Sequence, residues 1–294
     1  MAALGLSTLL PVPFASSKPK LIERTIPTTG ENIPVIGMGS WLTFDVMGST
    51  SRMQNMKAVL QNFHALGGRV IDSSPMYGSS EKVIGQLARE LDILDDLWVS
   101  TKIWTNGRAN GQGQLNDSRR YFSQQLMVDH VHNIRDFNTH YATLKEAKSK
   151  GQIKYIGATH YQNYAHDQLV ELINKYELDF VQINYNIDNP HAEERLIPTA
   201  VDQGVAVIIN RPFQTGRLFD EIGNSNLPPW AADLEIDNWA AYMLRYIISN
   251  PGVTCVIPAT TQVSHVKQNM EAGMGYLPSP KERGKMREFF QSVR

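Results

Sequence analysis

Residues 69–81 read RVIDSSPMYGSSE. A β-prone run, Arg69 to Ile71, leads into Asp72; a polar turn through Ser73, Ser74 and Pro75 follows; Tyr77 then precedes Gly78-Ser79-Ser80-Glu81, which opens a helical pattern. Strand, polar loop and helix in immediate succession form one unit of an α/β fold. The unit recurs on both sides. Short apolar runs stand at Val35 to Gly37, Arg69 to Ile71, Leu97 to Thr101, Met127 to Val131, Tyr155 to Ala158, Phe180 to Ile183, Val205 to Ile209 and Thr254 to Ile257. Between them lie helical patterns near 52–66, 79–90, 115–125, 139–150, 164–176, 192–203, 237–249 and 262–271, with a last helix near 280–292. Gly67-Gly68, Gly151-Gln152 and Gln203-Gly204 follow helices as C-caps do. The pattern predicts an α/β (β/α)8 TIM barrel, to which 294 residues are suited. Leu21 to Pro34 carries two short β-prone pieces around Thr-Gly-Glu-Asn, an N-terminal β-hairpin placed to plug the barrel floor. A doubly wound sheet is the alternative.

Composition narrows the function classes. With 42% hydrophobic residues and a net charge of -1 the chain is an ordinary folded globule, and its scattered Lys and Arg form no basic stripe for nucleic acid. No apolar run reaches the length of a membrane span. The single Cys255, in an apolar stretch, reads as a small buried hydrophobe. Residues 1–20 divide from the barrel at 21–294: MAALGLSTLLPVPFA is either a loose apolar arm or the remnant of an export signal without its basic leader. Localisation is accordingly cytoplasmic or, with such a signal, the bacterial periplasm.

In a barrel of this kind the reacting groups gather where strands end. Asp72 follows Ile71, Lys102 follows Thr101, His132 follows Val131, and Tyr77 sits in the loop after Asp72. An ammonium beside a phenol favours the phenolate, so Lys102 with Asp72 is expected to lower the Tyr77 pKa and make it an acid for a developing alkoxide. His132 would hold and polarise a carbonyl oxygen while hydride arrives on the exposed face. No metal is needed for this chemistry. Singly, Asp72 reads as a cap or turn residue, Lys102 as a surface strand end, Tyr77 as a loop aromatic and His132 as a satisfied core histidine; their coincidence at successive strand ends favours catalysis. A rival reading takes His130 and His132 as metal ligands for hydrolysis, but no further ligands stand at the other strand ends. A second rival is a cofactor-binding redox-sensing or regulatory barrel with little turnover.

The sequence resembles the aldo-keto reductase family through Gly37-Met38-Gly39-Ser40-Trp41, the stretch 72–81, Thr101-Lys102-Ile103-Trp104 and Val131-His132-Asn133. Segments 156–161, 181–186 and 257–261 follow in family order, so the likeness spans about 22–292. It implies a barrel reductase of aldehydes or ketones with Asp72, Tyr77, Lys102 and His132 as tetrad. NADP(H), or NAD(H), would lie extended across the mouth, against Gly39, Ser40, Trp41, Thr159, His160 and Gln182 at the nicotinamide end. Here Thr159-His160 replaces the commoner Ser-Asn. Asn210 stands where relatives often carry a stacking aromatic, leaving Arg211 or Phe213 to cover the ring. At the adenosine end the resemblance points to Thr260, Thr261, His265, Gln268 and Asn269, but the basic residues for a 2′-phosphate fall on Ala259 and His265, which weakens NADP(H) preference. Trp41, Trp104, Phe137 and Trp230 are candidate walls for a small carbonyl substrate. The short loop 133–138 and the brief tail predict a shallow, open site.

Overall fold

The computed structural model describes residues 20–122 and 126–294. Apart from Lys20, the N-terminal arm lies outside the described residues, as does the end of the helix expected at 115–125.

β1 (Glu23–Thr25) and β2 (Asn32–Pro34) form an antiparallel hairpin. Ile26 and Ile33 pack among Val70, Trp98, Val128, Tyr155 and Phe180, so the hairpin does close the barrel floor. It is pinned there: the Tyr155 hydroxyl lies 2.7 Å from Thr29 Oγ1 and donates to Glu31 Oε2 at 2.5 Å.

The barrel strands are β3 (Met38–Gly39), β4 (Val70–Asp72), β5 (Trp98–Ile103), β6 (Leu126–His132), β7 (Ile153–His160), β8 (Phe180–Asn184), β9 (Ala206–Asn210) and β10 (Cys255–Val256). They pair in sequence order in one eight-stranded parallel sheet, which a parallel bridge between Ile36 and Val256 closes into a barrel. Successive strand residues face opposite sides. Trp98, Val128 and Phe180 therefore fill the lumen, while Val99, Val131 and Val181 pack outward against the helices. The helices are α1 (Thr50–Ala65), α2 (Ser80–Glu90), α3 (Arg108–Tyr121), α4 (Phe137–Ser149), α5 (His166–Lys175), α6 (Leu196–Asp202), α7 (Arg217–Ile222), α8 (Trp239–Ile248), α9 (Val263–Ala272) and α10 (Pro280–Ser292). Gly151 and Gly204 end α4 and α6 at φ 67° and 66°, the left-handed turn a helix needs to re-enter a strand. Cys255 is buried. Among the described residues no helix is long and apolar enough to cross a membrane.

Two local expectations are corrected and one unassigned stretch is filled. The first strand pairs through Met38 and Gly39, beyond Val35 to Gly37, with Ile36 making the closing bridge. α3 begins at Arg108, seven residues ahead of the expected start. The stretch after β9, where no element was named, folds into α7 and short 3-10 turns at Gln214–Gly216 and Pro229–Leu234.

Candidate active site

Asp72 closes β4, Lys102 is the penultimate residue of β5 and His132 closes β6, so all three belong to the strands themselves and not to the loops after them. The rigid sheet sets their positions. Lys102 Nζ donates to Asp72 Oδ2 at 2.6 Å and to the Ser73 carbonyl at 2.7 Å. Asp72 Oδ1 accepts from Ser100 Oγ and Gln182 Nε2, each at 2.7 Å. A buried ion pair is tolerable only when its remaining lone pairs and protons are satisfied in this way. Burial works against the Lys102 ammonium, but the pull of Asp72 and Tyr77 outweighs it and carries the group above its ordinary value. The Lys102 ammonium also lies 5.0 Å from the Tyr77 ring centroid.

Tyr77, half-buried, is held by its backbone: its N–H donates to the Ser74 carbonyl at 2.9 Å. Its phenol departs from the expected direction. Burial raises the pKa, and although Lys102 and Arg211 pull it down, Asp72 opposes them and the net shift is upward. The phenol is therefore a protonated donor at neutral pH, trimmed but not made strongly acidic by the ammonium. His132 meets Tyr77 edge-on, centroids 5.8 Å apart at 84°. Its Nδ1 lies 3.0 Å from Ser74 Oγ, which already accepts the Met76 N–H at 3.3 Å. The Ser74 proton is thus free for Nδ1, which leaves the ring proton on Nε2. Burial, then Lys102, His130 and His160, push the His132 pKa down to about 2, so the ring is a neutral donor.

These groups border a cavity of about 560 Å³ that Asp72, Tyr77 and His132 share with Gly39, Ser40, Trp41, Thr159, Gln182, Asn210, Arg211 and Phe213. Gly39 is required by packing, since a Cβ would stand 2.9 Å from the Ile257 carbonyl. Ser40 donates to Ser73 Oγ at 2.9 Å. The Gln182 amide is already engaged, its Nε2 on Asp72 and its Oε1 3.2 Å from Thr159 Oγ1, so Gln182 buttresses the carboxylate in this structure. His160 does not border the cavity: Nδ1 accepts the Gln162 N–H and the ring stacks on Tyr161, which takes the place at the wall. Trp41 and Trp104 are wall residues. Phe137 and Trp230 are not. Phe137 packs on Tyr141 and Tyr176, and Trp230 lies against Tyr242 and Phe289. Nor is the site as shallow as the short loop after β6 implied, because the segment after β9 brings Phe213, Thr215 and Phe219 to its rim. Ser74, Ser100, Asn133 and Tyr161 were given no role from the sequence; for Ser100 the period of two from Lys102 was the available signal.

The adenosine-end candidates lie apart from this cavity. Thr260 Oγ1 sits 3.3 Å from His265 Nδ1, the Thr261 carbonyl accepts from Asn55 Nδ2 at 2.7 Å, and Thr261 borders a smaller hollow of about 310 Å³ beside Arg52. Gln268 is half-buried and Asn269 buried on α9. His130, of the metal reading, points into the lumen opposite Lys102 and packs on Phe180, one layer below His132. Among the described residues no three His, Cys, Asp or Glu side chains converge to hold a metal ion.

The fold and site define a (β/α)8 barrel whose open end gathers a phenol and a neutral imidazole on one cavity beside a buried lysine–aspartate pair. The sequence matches the aldo/keto reductase family over residues 35–282. It is 26% identical over 236 residues to the NADH-specific methylglyoxal reductase of Escherichia coli (strain K12), covering 68% of this chain and 70% of that protein. It is also 26% identical over 218 residues to the L-glyceraldehyde 3-phosphate reductase of the same strain, where the chain spans 61% of the relative. A crystal structure of an aldo-keto reductase from Klebsiella pneumoniae in complex with NADPH superimposes with a TM-score of 0.76 at 22% identity, over 93% of this chain and 96% of that one. The chain belongs to the aldo/keto reductase family.

The residues fit a nicotinamide group. Among the described residues the buried side-chain oxygens of Asn133 and Asn210 have no hydrogen-bond partner, and both residues border the cavity beside Thr159. Unspent acceptors of this kind suit a carboxamide, because leaving them bare costs roughly 1–3 kcal/mol each.

Proposed function

We propose that this aldo/keto reductase, an NAD(P)H-dependent oxidoreductase of carbonyl groups, reduces small aldehydes or ketones with Tyr77 as proton donor and His132 Nε2 as the group that holds the carbonyl oxygen. The bound cofactor supplies the hydride. As hydride joins the carbonyl carbon, the carbon–oxygen π pair moves onto oxygen and takes the Tyr77 proton. The phenolate left behind is steadied by Lys102, itself fixed by Asp72, until it regains a proton from solvent. The observation that carries this reading is the convergence of a protonated phenol, a neutral imidazole and a satisfied ion pair on one cavity.

Asn133, Asn210 and Thr159 would hold the nicotinamide end, and Thr260, Thr261, Gln268 and Asn269 the adenosine end. None of these four residues is an arginine, and Arg52 on α1 is the guanidinium that borders the hollow beside Thr261; a single arginine outside the group supports use of both cofactors with less than about a hundredfold preference for NADPH. A relative named NADH-specific and a structural neighbour holding NADPH are consistent with either choice. Tyr77→Phe removes the donor alone. It should lower kcat for aldehyde reduction by about 100-fold or more while the Kd for NADPH or NADH stays within about threefold. Undiminished reduction by Tyr77→Phe ends the assignment.

A further inference from the structure

Arg211 follows β9 in the left-handed region, φ 52°, a conformation costly for a side chain of this size. It is fixed from two sides: its carbonyl accepts from Asn186 Nδ2 and the Gln214 N–H, each at 3.2 Å. The turn sends the side chain into the cavity instead of along the strand. There the guanidinium lies 4.1 Å over the Tyr161 ring and 5.6 Å from that of Trp41. Asp72 and Arg211 are the charged residues of the cavity wall, and Lys102 neutralises Asp72. Arg211 has no such partner. Among the described residues its guanidinium forms no ion pair and no hydrogen bond. Its charge is felt at Tyr77, so it stands near the reacting phenol. Around it the rim is apolar, with Leu42, Met76 and Phe219 exposed.

An arginine whose faces are stacked keeps its edge donors aligned and unspent, the arrangement that receives a planar oxyanion in bidentate fashion. Resting on the reductase reading above, we propose that Arg211 selects carbonyl substrates that carry an oxyanion, carboxylate or phosphate, on an apolar body. The anion pairs with the guanidinium while the carbonyl reaches Tyr77 and His132.

The test compares kcat/KM for 4-carboxybenzaldehyde with that for 4-nitrobenzaldehyde, its neutral near-isostere, in the wild type, Arg211→Met and Arg211→Lys; 4-formylphenyl phosphate separates phosphate from carboxylate. The ratio within each enzyme cancels losses from cofactor binding or folding. We expect Arg211→Met to lower the anion-to-nitro ratio by tenfold or more, Arg211→Lys to recover part of it, and added salt to shrink the wild-type preference. A ratio that stays within twofold in Arg211→Met overturns the proposal; if the Kd for NADPH or NADH weakens instead, the cation serves the cofactor diphosphate. A parallel titration of tryptophan fluorescence with 4-(hydroxymethyl)benzoate needs no turnover and should show about tenfold weaker binding in Arg211→Met. Should the wild type reduce none of these aldehydes, the reductase reading fails while that titration still decides the role of Arg211.

Discussion

Asp72 and Asp129 stand two strands apart in the same barrel wall, 2% and 0% exposed, and the structure treats them in opposite ways. Asp72 faces the lumen, where an ammonium, a hydroxyl and an amide meet its two oxygens. Asp129 faces outward toward Glu81 on α2, and among the described residues neither of its oxygens has a hydrogen-bond partner. Burial, and then the nearness of Glu81, push its carboxyl well above the ordinary range, which favours the neutral acid. Glu81 on α2 shares this environment: burial raises it to about 7 even though the Thr101 and Ser118 hydroxyls donate to it. Burial is thus common to both sides of the wall, and the partners decide whether charge is kept. The lumen side spends side chains to hold a charged pair for chemistry. The helix side meets its carboxyls with fewer donors, and burial raises their affinity for a proton.

The largest effects follow from breaking the charged side. Lys102→Met leaves Asp72 buried beside no cation and should cost about 3–5 kcal/mol in urea unfolding. Adding Asp72→Asn removes the stranded charge while keeping an acceptor for Ser100 and Gln182, so at least half of that loss should return. Activity should not return, with kcat/KM for aldehydes remaining about 100-fold or more below wild type. A double variant as unstable as the single one would make the pair a device for stability.

On the helix side the expected effect is a pH dependence. The folded pKa of Glu81 is about 7, above its unfolded value near 4.5, so the native state binds the proton more tightly. Its stabilisation is full below about pH 4.5, is lost as pH rises through about 7, and amounts to about 3 kcal/mol. Asp129 acts with the same sign. Urea midpoints at pH 5, 6.5 and 8 should therefore fall steadily, and Glu81→Gln, which keeps an acceptor for Thr101 and Ser118, should flatten the decline. An unchanged slope in Glu81→Gln places the pH sensitivity elsewhere.

The lumen side was legible in the sequence because strand period and strand ends are local signals: Asp72, Lys102 and His132 each terminate a readable apolar run. The same period marks Asp129 as outward-facing, yet nothing local says that α2 brings Glu81 there. The start of α3 was hidden by Gly111 and Gly113, poor helix formers. The reason for Gly111 is tertiary, since a Cβ would stand 2.6 Å from His140 Nδ1 on α4. The segment after β9 escaped because α7, six residues long, is too brief to show a period. The direction of Arg211 depends on a left-handed backbone turn that its side chain does not advertise. For Tyr77 the pairwise attraction of Lys102 was readable, but the larger cost of burial was not.

The smallest expected effect tests how finely the lumen side is tuned. In Ser74→Ala the His132 Nδ1 loses its Ser74 partner, and the ring can then carry its proton on Nδ1 and present a lone pair to the cavity. Such a tautomer repels a carbonyl oxygen instead of donating to it. The hydroxyl is worth about 1 kcal/mol of preference, so kcat/KM should fall about fivefold, with the cofactor Kd unmoved. Because burial holds the His132 pKa near 2, neither wild type nor variant should show a histidine titration between about pH 5 and 9 in kcat/KM. A new limb in that interval for Ser74→Ala means that the hydroxyl also keeps the imidazole neutral. No loss at all means that packing against Tyr77 alone sets the ring.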